Sequence, residues 1–276
     1  MTSISQLLHD RFGLEMSANE DAGNETLCGI LGRRTHRGYL DRDVSDDLME
    51  VLLACAQSAP TKSNLQQYSI VVVKDSQLRR GIGDLVPSMP WLASAPAAVF
   101  FLGDVRRIRR LAELRGHDYA NNNVDTFMNA AVDAAVAMQC FISAAESAGL
   151  GCCPISYIRN RLDDFADLLG LPDGVFPVAG VTVGWPDKEG HVSMRLPPSV
   201  VVHRDRYVDS GLEHEVGAYD ARAHTRHAIA PEKQRHTDKY GVLEVCTWSE
   251  NVTRQLSEPE RPEFADFLKR KGIDLA

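Results

Sequence analysis

Several signatures are missing from this 276-residue chain, and each absence removes a class of function. No G-x-G-x-x-G follows an apolar run, and neither G-x-x-x-x-G-K-[ST] nor G-x-S-x-G occurs, which excludes the common dinucleotide, P-loop and α/β-hydrolase readings. Cys28, Cys55, Cys140, Cys152, Cys153 and Cys246 contain no C-x-x-C pair, and the histidines of residues 221–243 show no metal-ligand spacing. Neither a zinc site nor a disulfide framework is expected, which fits a reducing compartment. No run nears the roughly eighteen apolar residues of a membrane span. Residues 1–27 lack the basic start and apolar centre of a signal peptide, so a cytoplasmic protein is expected. Positive charge is not in surplus either: 30 Lys and Arg against 38 Asp and Glu leave −8, and no global attraction to nucleic acid or an anionic membrane follows.

What is present suits a globular enzyme. Hydrophobic residues make up 44% and charged residues 25%, enough apolar side chain for a sizeable core in one large or two small domains. Arg106, Arg107, Arg109, Arg110 and Arg115 alternate with Ile108, Leu111 and Leu114 at helical spacing, which reads as the solvated face of a helix. Cys152 and Cys153 follow Gly149 and Gly151 where a strand begins, and read as small buried residues.

Periodicity predicts the elements. A helix spans residues 28–34, and Val44-Ser45-Asp46 caps another with Leu48, Val51, Leu52 and Cys55 on one face. Buried strands are expected at 69–74, 96–103 and 176–185, with a shorter fourth at Val200–Val202. Residues 77–86, 162–169 and 262–271 read as short helices, and 87–91 as a loop. Residues 124–148 are apolar nearly all round a helix, which predicts the spine of the core or of a dimer interface. Residues 1–26 read as an acidic extension that wraps a partner or is partly disordered, and 221–243, rich in His, Arg and Lys, as an excursion from the core.

The chain is organised around SAPTKSNLQQYSIVVVKD, residues 58–75, in which a helix end meets a polar loop and then a buried strand. Thr61, Lys62, Ser63, Asn64, Gln66 and Gln67 offer hydroxyl, ammonium and amide groups suited to phosphate oxygens or the polar edge of a heterocycle. The same residues also make an ordinary solvated turn. Arg33-Arg34-Thr35-His36-Arg37 forms either a bidentate phosphate clamp or a basic helix end complementing the helix dipole. For Arg195 in SMRLP the alternatives are an anion contact and a surface ion pair.

These stretches, with AAVAMQCFISAAESAGLGCCPIS at 134–156, GVTVGWP at 180–186 and the tail at 247–276, together resemble the nitroreductase family of FMN enzymes. The tail is similar to that of the oxygen-insensitive NADPH nitroreductase A and flavin reductase P branch. The resemblance implies an α+β fold, a mixed central sheet flanked by helices, with extended arms exchanged in a homodimer. It divides the chain into an extension (1–26), an FMN-binding core (27–205) and a C-terminal excursion and arm packing on the partner subunit (206–276). It implies that FMN is held by Arg33, Arg34, Thr35 and Arg37 at the phosphate and ribityl chain. Thr61, Lys62, Ser63, Asn64 and Gln66 fall along the ring and ribityl group, Ile155, Ser156 and Tyr157 beside the ring, and Arg195 at the phosphate. Two departures stand out: Ser193 occupies a position where the branch has lysine, and Tyr157 crowds a place that is usually glycine.

The implied activity is ping-pong hydride transfer from NAD(P)H to nitroaromatic compounds, quinones or related small aromatic acceptors, with no side chain required as general acid or base. Met89 and Tyr157 would shape the acceptor site, and Arg222, Arg226, Lys233 and Arg235 are the arginines and lysine available to an NADPH 2′-phosphate. A flavin reductase supplying reduced FMN, a specialised reductive dehalogenase or nitro-group enzyme, and a non-catalytic FMN-binding protein are the alternatives.

Overall fold

The computed structural model describes residues 2–276 and contains thirteen α-helices among them. In chain order these are α1 (Ile4–Phe12), α2 (Glu25–Leu31), α3 (Asp46–Gln57), α4 (Ser76–Asp84), α5 (Trp91–Ser94), α6 (Arg106–Arg115) and α7 (Val124–Ser147). They continue as α8 (Leu162–Leu168), α9 (Pro198–Val201), α10 (Leu212–Arg226), α11 (Thr237–Tyr240), α12 (Trp248–Gln255) and α13 (Phe264–Arg270). The strands are β1 (Tyr68–Val73), β2 (Ala97–Asp104), β3 (Gly151–Ile155) and β4 (Val175–Gly184), in the sheet order β1-β2-β4-β3 with every pairing antiparallel. Among the described residues, a parallel component enters only through the isolated bridge between Thr35 and Cys152. The expected α+β architecture is observed.

The chain forms two compact units, residues 34–191 with 261–276 and residues 1–33 with 192–260. In the first, every residue of β2 is buried because the sheet is covered on both faces. Alternation of side chains sorts them: Ala98, Phe100 and Leu102 enter one core with Phe165 and Phe267, while Ala97, Val99 and Phe101 enter the other with Leu52 and Phe141. Edge-to-face ring pairs, Phe100 with Phe165 at 5.0 Å and Phe101 with Phe141 at 5.8 Å, mark the two cores. Gly103 admits the Phe176 ring, since a Cβ there would lie 2.2 Å from it.

The unit formed by 1–33 and 192–260 is helical. Ser3 caps α1, the Glu20 carboxylate accepts from the Ile4 and Ser5 amides at 2.9 Å each, and Gly13 closes the helix at φ 65°. These bonds, led by that of the Ser5 hydroxyl, hold the Glu20 carboxyl below its usual value. Arg226 donates to the His9 and Asp10 carbonyls and pairs with the Asp10 carboxylate at 3.0 Å, fixing the other end. The N-terminal extension is thus a helix tied to α10 of its own chain.

Three expectations are corrected. Val200–Val202 forms no strand: Pro197 and Pro198 start the single turn of α9 instead, with proline at the first helical position. The buried face of α3 is Met49, Leu52 and Ala56, and Val51 is 59% exposed. Within the least patterned stretch, α10 runs to Arg226. The one helix among the described residues long and apolar enough to cross a bilayer, α7, packs against the sheet through buried Ala134, Ala137, Phe141, Ile142 and Ala145. No disulfide forms among the described residues, and Cys152 and Cys153 are buried as expected.

Candidate functional site

The 61–67 loop is held from below by α7. Asp133, 2% exposed, accepts the Lys62 amide at 3.1 Å through Oδ1 and the Gln67 amide at 3.0 Å through Oδ2, closing the loop around one carboxylate. Between those amides Ser63, Asn64 and Gln66 take φ of 49°, 57° and 52°, a left-handed conformation that L-residues adopt at a cost of roughly 1–2 kcal/mol each. The carboxylate binds the ends of a strained loop whose Ser63, Asn64 and Gln66 side chains are exposed. Lys62 is not free: its ammonium meets Asp125 at 3.1 Å, which lowers the Asp125 carboxyl. Gln66 Nε2 donates to Asn64 Oδ1 at 3.1 Å, and Arg107 donates to the Gln66 carbonyl at 2.8 Å. Gln67 is buried, and its side-chain oxygen meets no donor among the described residues.

The arginine-rich segment runs beside β3. Thr35 bridges to Cys152, and the His36 amide donates to the Cys152 carbonyl at 3.0 Å. Gly151 makes room for this, because a Cβ there would lie 2.7 Å from the His36 side chain. Thr35 and His36 are therefore brought alongside the Gly151–Cys152 start of β3, at the opposite end of the strand from Ile155. Arg34 pairs with Glu189 and donates to the Gly190 carbonyl at 3.1 Å, while Arg37 stacks 5.5 Å from the Trp91 ring centroid. Ile155 is buried, and Ser156 and Tyr157 are exposed at the start of a 3₁₀ turn. Arg261 donates to Asn160 Oδ1 at 2.8 Å and reaches Ser156 Oγ at 3.5 Å. Met89 is half-buried against the core, so only part of its surface faces outward.

In the other unit, Arg195 lines an apolar cavity of about 440 Å³ with Phe12, Met194, Tyr219 and Trp248. Its guanidinium meets only the Ser193 and Met194 carbonyls among the described residues, at 3.4 and 3.2 Å, and no carboxylate. The neighbouring cleft of about 640 Å³ is lined by His9, Asp10, Arg222 and Arg226. Arg226 is committed to α1, whereas the buried Arg222 Nε has no acceptor among the described residues. Arg235 is exposed, and its amide donates to Asn251 Oδ1 at 2.8 Å.

This donor set fits FMN. Arginine forks suit a phosphate monoester, and an orphaned amide oxygen with outward hydroxyl and amide groups suits the edge of a heterocycle. Sequence reasoning missed Asp133 and Arg261. Asp133 carries a signal, a lone acid in the apolar middle of a helix; Arg261 carries none.

The chain matches the Nitroreductase family over residues 30–185 and the Nitroreductase family C-terminal domain over residues 193–276. It is 32% identical over 255 residues to the FMN reductase (NADPH) of Bacillus subtilis (strain 168), covering 91% of this chain and 99% of that protein. The oxygen-insensitive NADPH nitroreductase of Salmonella typhimurium is 30% identical over 250 residues, covering 90% of this chain and 96% of that one. Among solved structures, the NfrA1 nitroreductase from B. subtilis superposes with a TM-score of 0.81 at 31% identity, covering 90% of this chain and 98% of that chain. With both family regions matched in order on the observed α+β fold, the chain belongs to the nitroreductase family.

Proposed function

We propose that this protein is an FMN-dependent NAD(P)H oxidoreductase that reduces nitroaromatic compounds, quinones or related small aromatic acceptors. The observation that carries this reading is the 61–67 loop, whose two ends are bound by the Asp133 carboxylate and whose exposed Ser63, Asn64 and Gln66 offer hydroxyl and amide groups to a heterocycle and its ribityl chain. FMN, when bound, supplies two-electron hydride chemistry. The chain's own part is to hold it. Arg33, Arg34, Arg37 and Arg195 bind the phosphate, with Arg34 sharing its charge between phosphate and Glu189, while Thr35 and the hydroxyl and amide groups of 61–66 bind the ribityl and ring edges. Tyr157, exposed beside Ser156, limits the size of the acceptor. For the donor, Arg222 is the strongest candidate to meet an NADPH 2′-phosphate, because Arg226 already serves α1.

A homodimer is part of this reading, and the sheet order supports it. β1, entered from the 61–67 loop, and β3 are opposite edges of the four-stranded sheet, three inter-strand spacings or roughly 14 Å apart. A partner copy brings one subunit's loop to the other's arginine segment. Val124, Met128 and Val132, exposed at four-residue spacing on α7, offer the apolar stripe for that contact, and the region from 206 onward supplies the arm. A cytoplasmic location is part of this reading, in keeping with six cysteines that show no C-x-x-C spacing.

Steady-state NAD(P)H oxidation tests the reading. A rate that depends on a nitroaromatic or quinone, with parallel double-reciprocal lines for donor and acceptor, is expected, because one face serves both in turn. Turnover only with excess free FMN identifies a flavin reductase instead, and flavin binding without any acceptor-dependent rate identifies a storage protein.

A further inference from the structure

We propose that Arg11, on the N-terminal helix that lies outside the matched family regions, is a positioning residue for the cofactor's phosphate monoester. The inference rests on the phosphate reading of Arg33 and Arg195 given above. Arg11 is 8% exposed. Its Nη1 donates to the Ser193 carbonyl at 2.8 Å, and its Nη2 to the Leu31 and Arg33 carbonyls at 2.7 and 2.6 Å. Its own carbonyl accepts the Arg195 amide at 2.8 Å. One residue therefore joins, by four hydrogen bonds, two segments separated by about 160 positions in the chain, each ending in an arginine assigned to the phosphate.

The planar guanidinium fork sets the spacing of three carbonyls at once, which fixes the backbone from which the Arg33 and Arg195 side chains depart. Neither segment has regular structure of its own there: α2 ends at Leu31, and residues 191–197 lie outside any helix or strand. Arg11 in turn is fixed by Glu20 at one end of α1 and Arg226 at the other. A misplacement of about 1 Å in such a clamp weakens binding of the group it holds and leaves distant parts of the ligand untouched.

The test compares FMN with riboflavin, which shares the ring and ribityl chain and lacks the phosphate. Dissociation constants are measured by flavin fluorescence on titration with flavin-free protein, alongside its melting temperature, for wild type, Arg11→Met, Arg11→Lys and Arg195→Ala. Arg11→Met is expected to raise the FMN constant about tenfold and the riboflavin constant less than about twofold. Arg11→Lys keeps the charge and loses the fork, so it too is expected to lose discrimination between the two flavins; it also serves if Arg11→Met does not fold. A parallel loss of both flavins, or wild-type discrimination in Arg11→Lys, overturns the inference. If Arg195→Ala loses discrimination and neither Arg11 variant does, only the role of Arg11 falls. If Arg195→Ala also keeps it, the phosphate reading falls as well.

Discussion

Asp133→Ala is expected to destabilise the flavin-free protein by about 3 kcal/mol and to abolish tight flavin binding. The carboxylate is buried and accepts two backbone amides, Lys62 and Gln67, that bracket the loop. Net contributions of roughly 1.5–3 kcal/mol are typical of a hydrogen bond to a charged group, and its removal strands both donors away from water. Part of the loss is returned when Ser63, Asn64 and Gln66 relax out of their left-handed conformations, so the total falls near the value for one such bond. That relaxation is what removes function, because the hydroxyl and amide groups no longer point where the clamp aimed them. Denaturant unfolding gives the stability, and amide exchange across residues 61–67 reports the loop in the absence of any cofactor. Asp133→Asn retains one acceptor but turns an amide N–H₂ toward a backbone N–H, so it is expected to behave as a partial loss. Wild-type stability and loop protection in Asp133→Ala would show that the carboxylate is incidental to the loop.

Arg37→Ala and Arg34→Ala are expected to yield largely flavin-free protein with nearly wild-type stability. The structural cost is small in each case. Arg34 pairs with a Glu189 side chain that is 82% exposed, a contact of about 0–1 kcal/mol, and donates one hydrogen bond to the Gly190 carbonyl, worth about 1 kcal/mol, while Arg37 makes one cation–π contact with Trp91 of about 0.5–1 kcal/mol. Losing a bidentate phosphate contact instead weakens FMN by about 10- to 100-fold, equivalent to roughly 1.4–2.8 kcal/mol. Flavin content of the purified variants and FMN titration, read beside thermal melts, separate the two. Full FMN occupancy in both variants would show that the phosphate lies elsewhere.

Much of the fold was legible where one physical signal dominated. The apolar run at 96–103 reads as a buried strand, and its alternating side chains divide between two cores. The 124–148 stretch reads as a central helix, and α7 both packs on the sheet and leaves Val124, Met128 and Val132 uncovered. Short elements were less legible. Val200–Val202 has strand-forming residues, yet the two prolines before them favour a helical turn over three β-branched side chains without a ladder partner. On α3 an apolar count selected the wrong stripe, because burial there includes Met49 and Ala56 and leaves Val51 out.

The candidate site followed the same division. Residue types were readable, since arginines for a phosphate and amides for a heterocycle edge follow from donor chemistry. Their commitments were not. That Lys62 is held by Asp125, Arg34 by Glu189 and Arg226 by α1 depends on contacts between residues 63, 155 and 216 positions apart. Asp133 alone of the supporting residues carries a local signal, an acid set within the apolar residues 130–138.

Anaerobic addition of NADPH, and separately NADH, to the FMN-loaded protein tests the central claim most directly. The account predicts that the oxidised flavin absorbance bleaches with at least one donor and recovers on addition of a nitroaromatic or quinone. A preference for NADPH that is lost in Arg222→Ala would place the donor's 2′-phosphate in the cleft beside α10. Flavin that stays oxidised with both donors, or a protein that takes up no FMN at all, would contradict it.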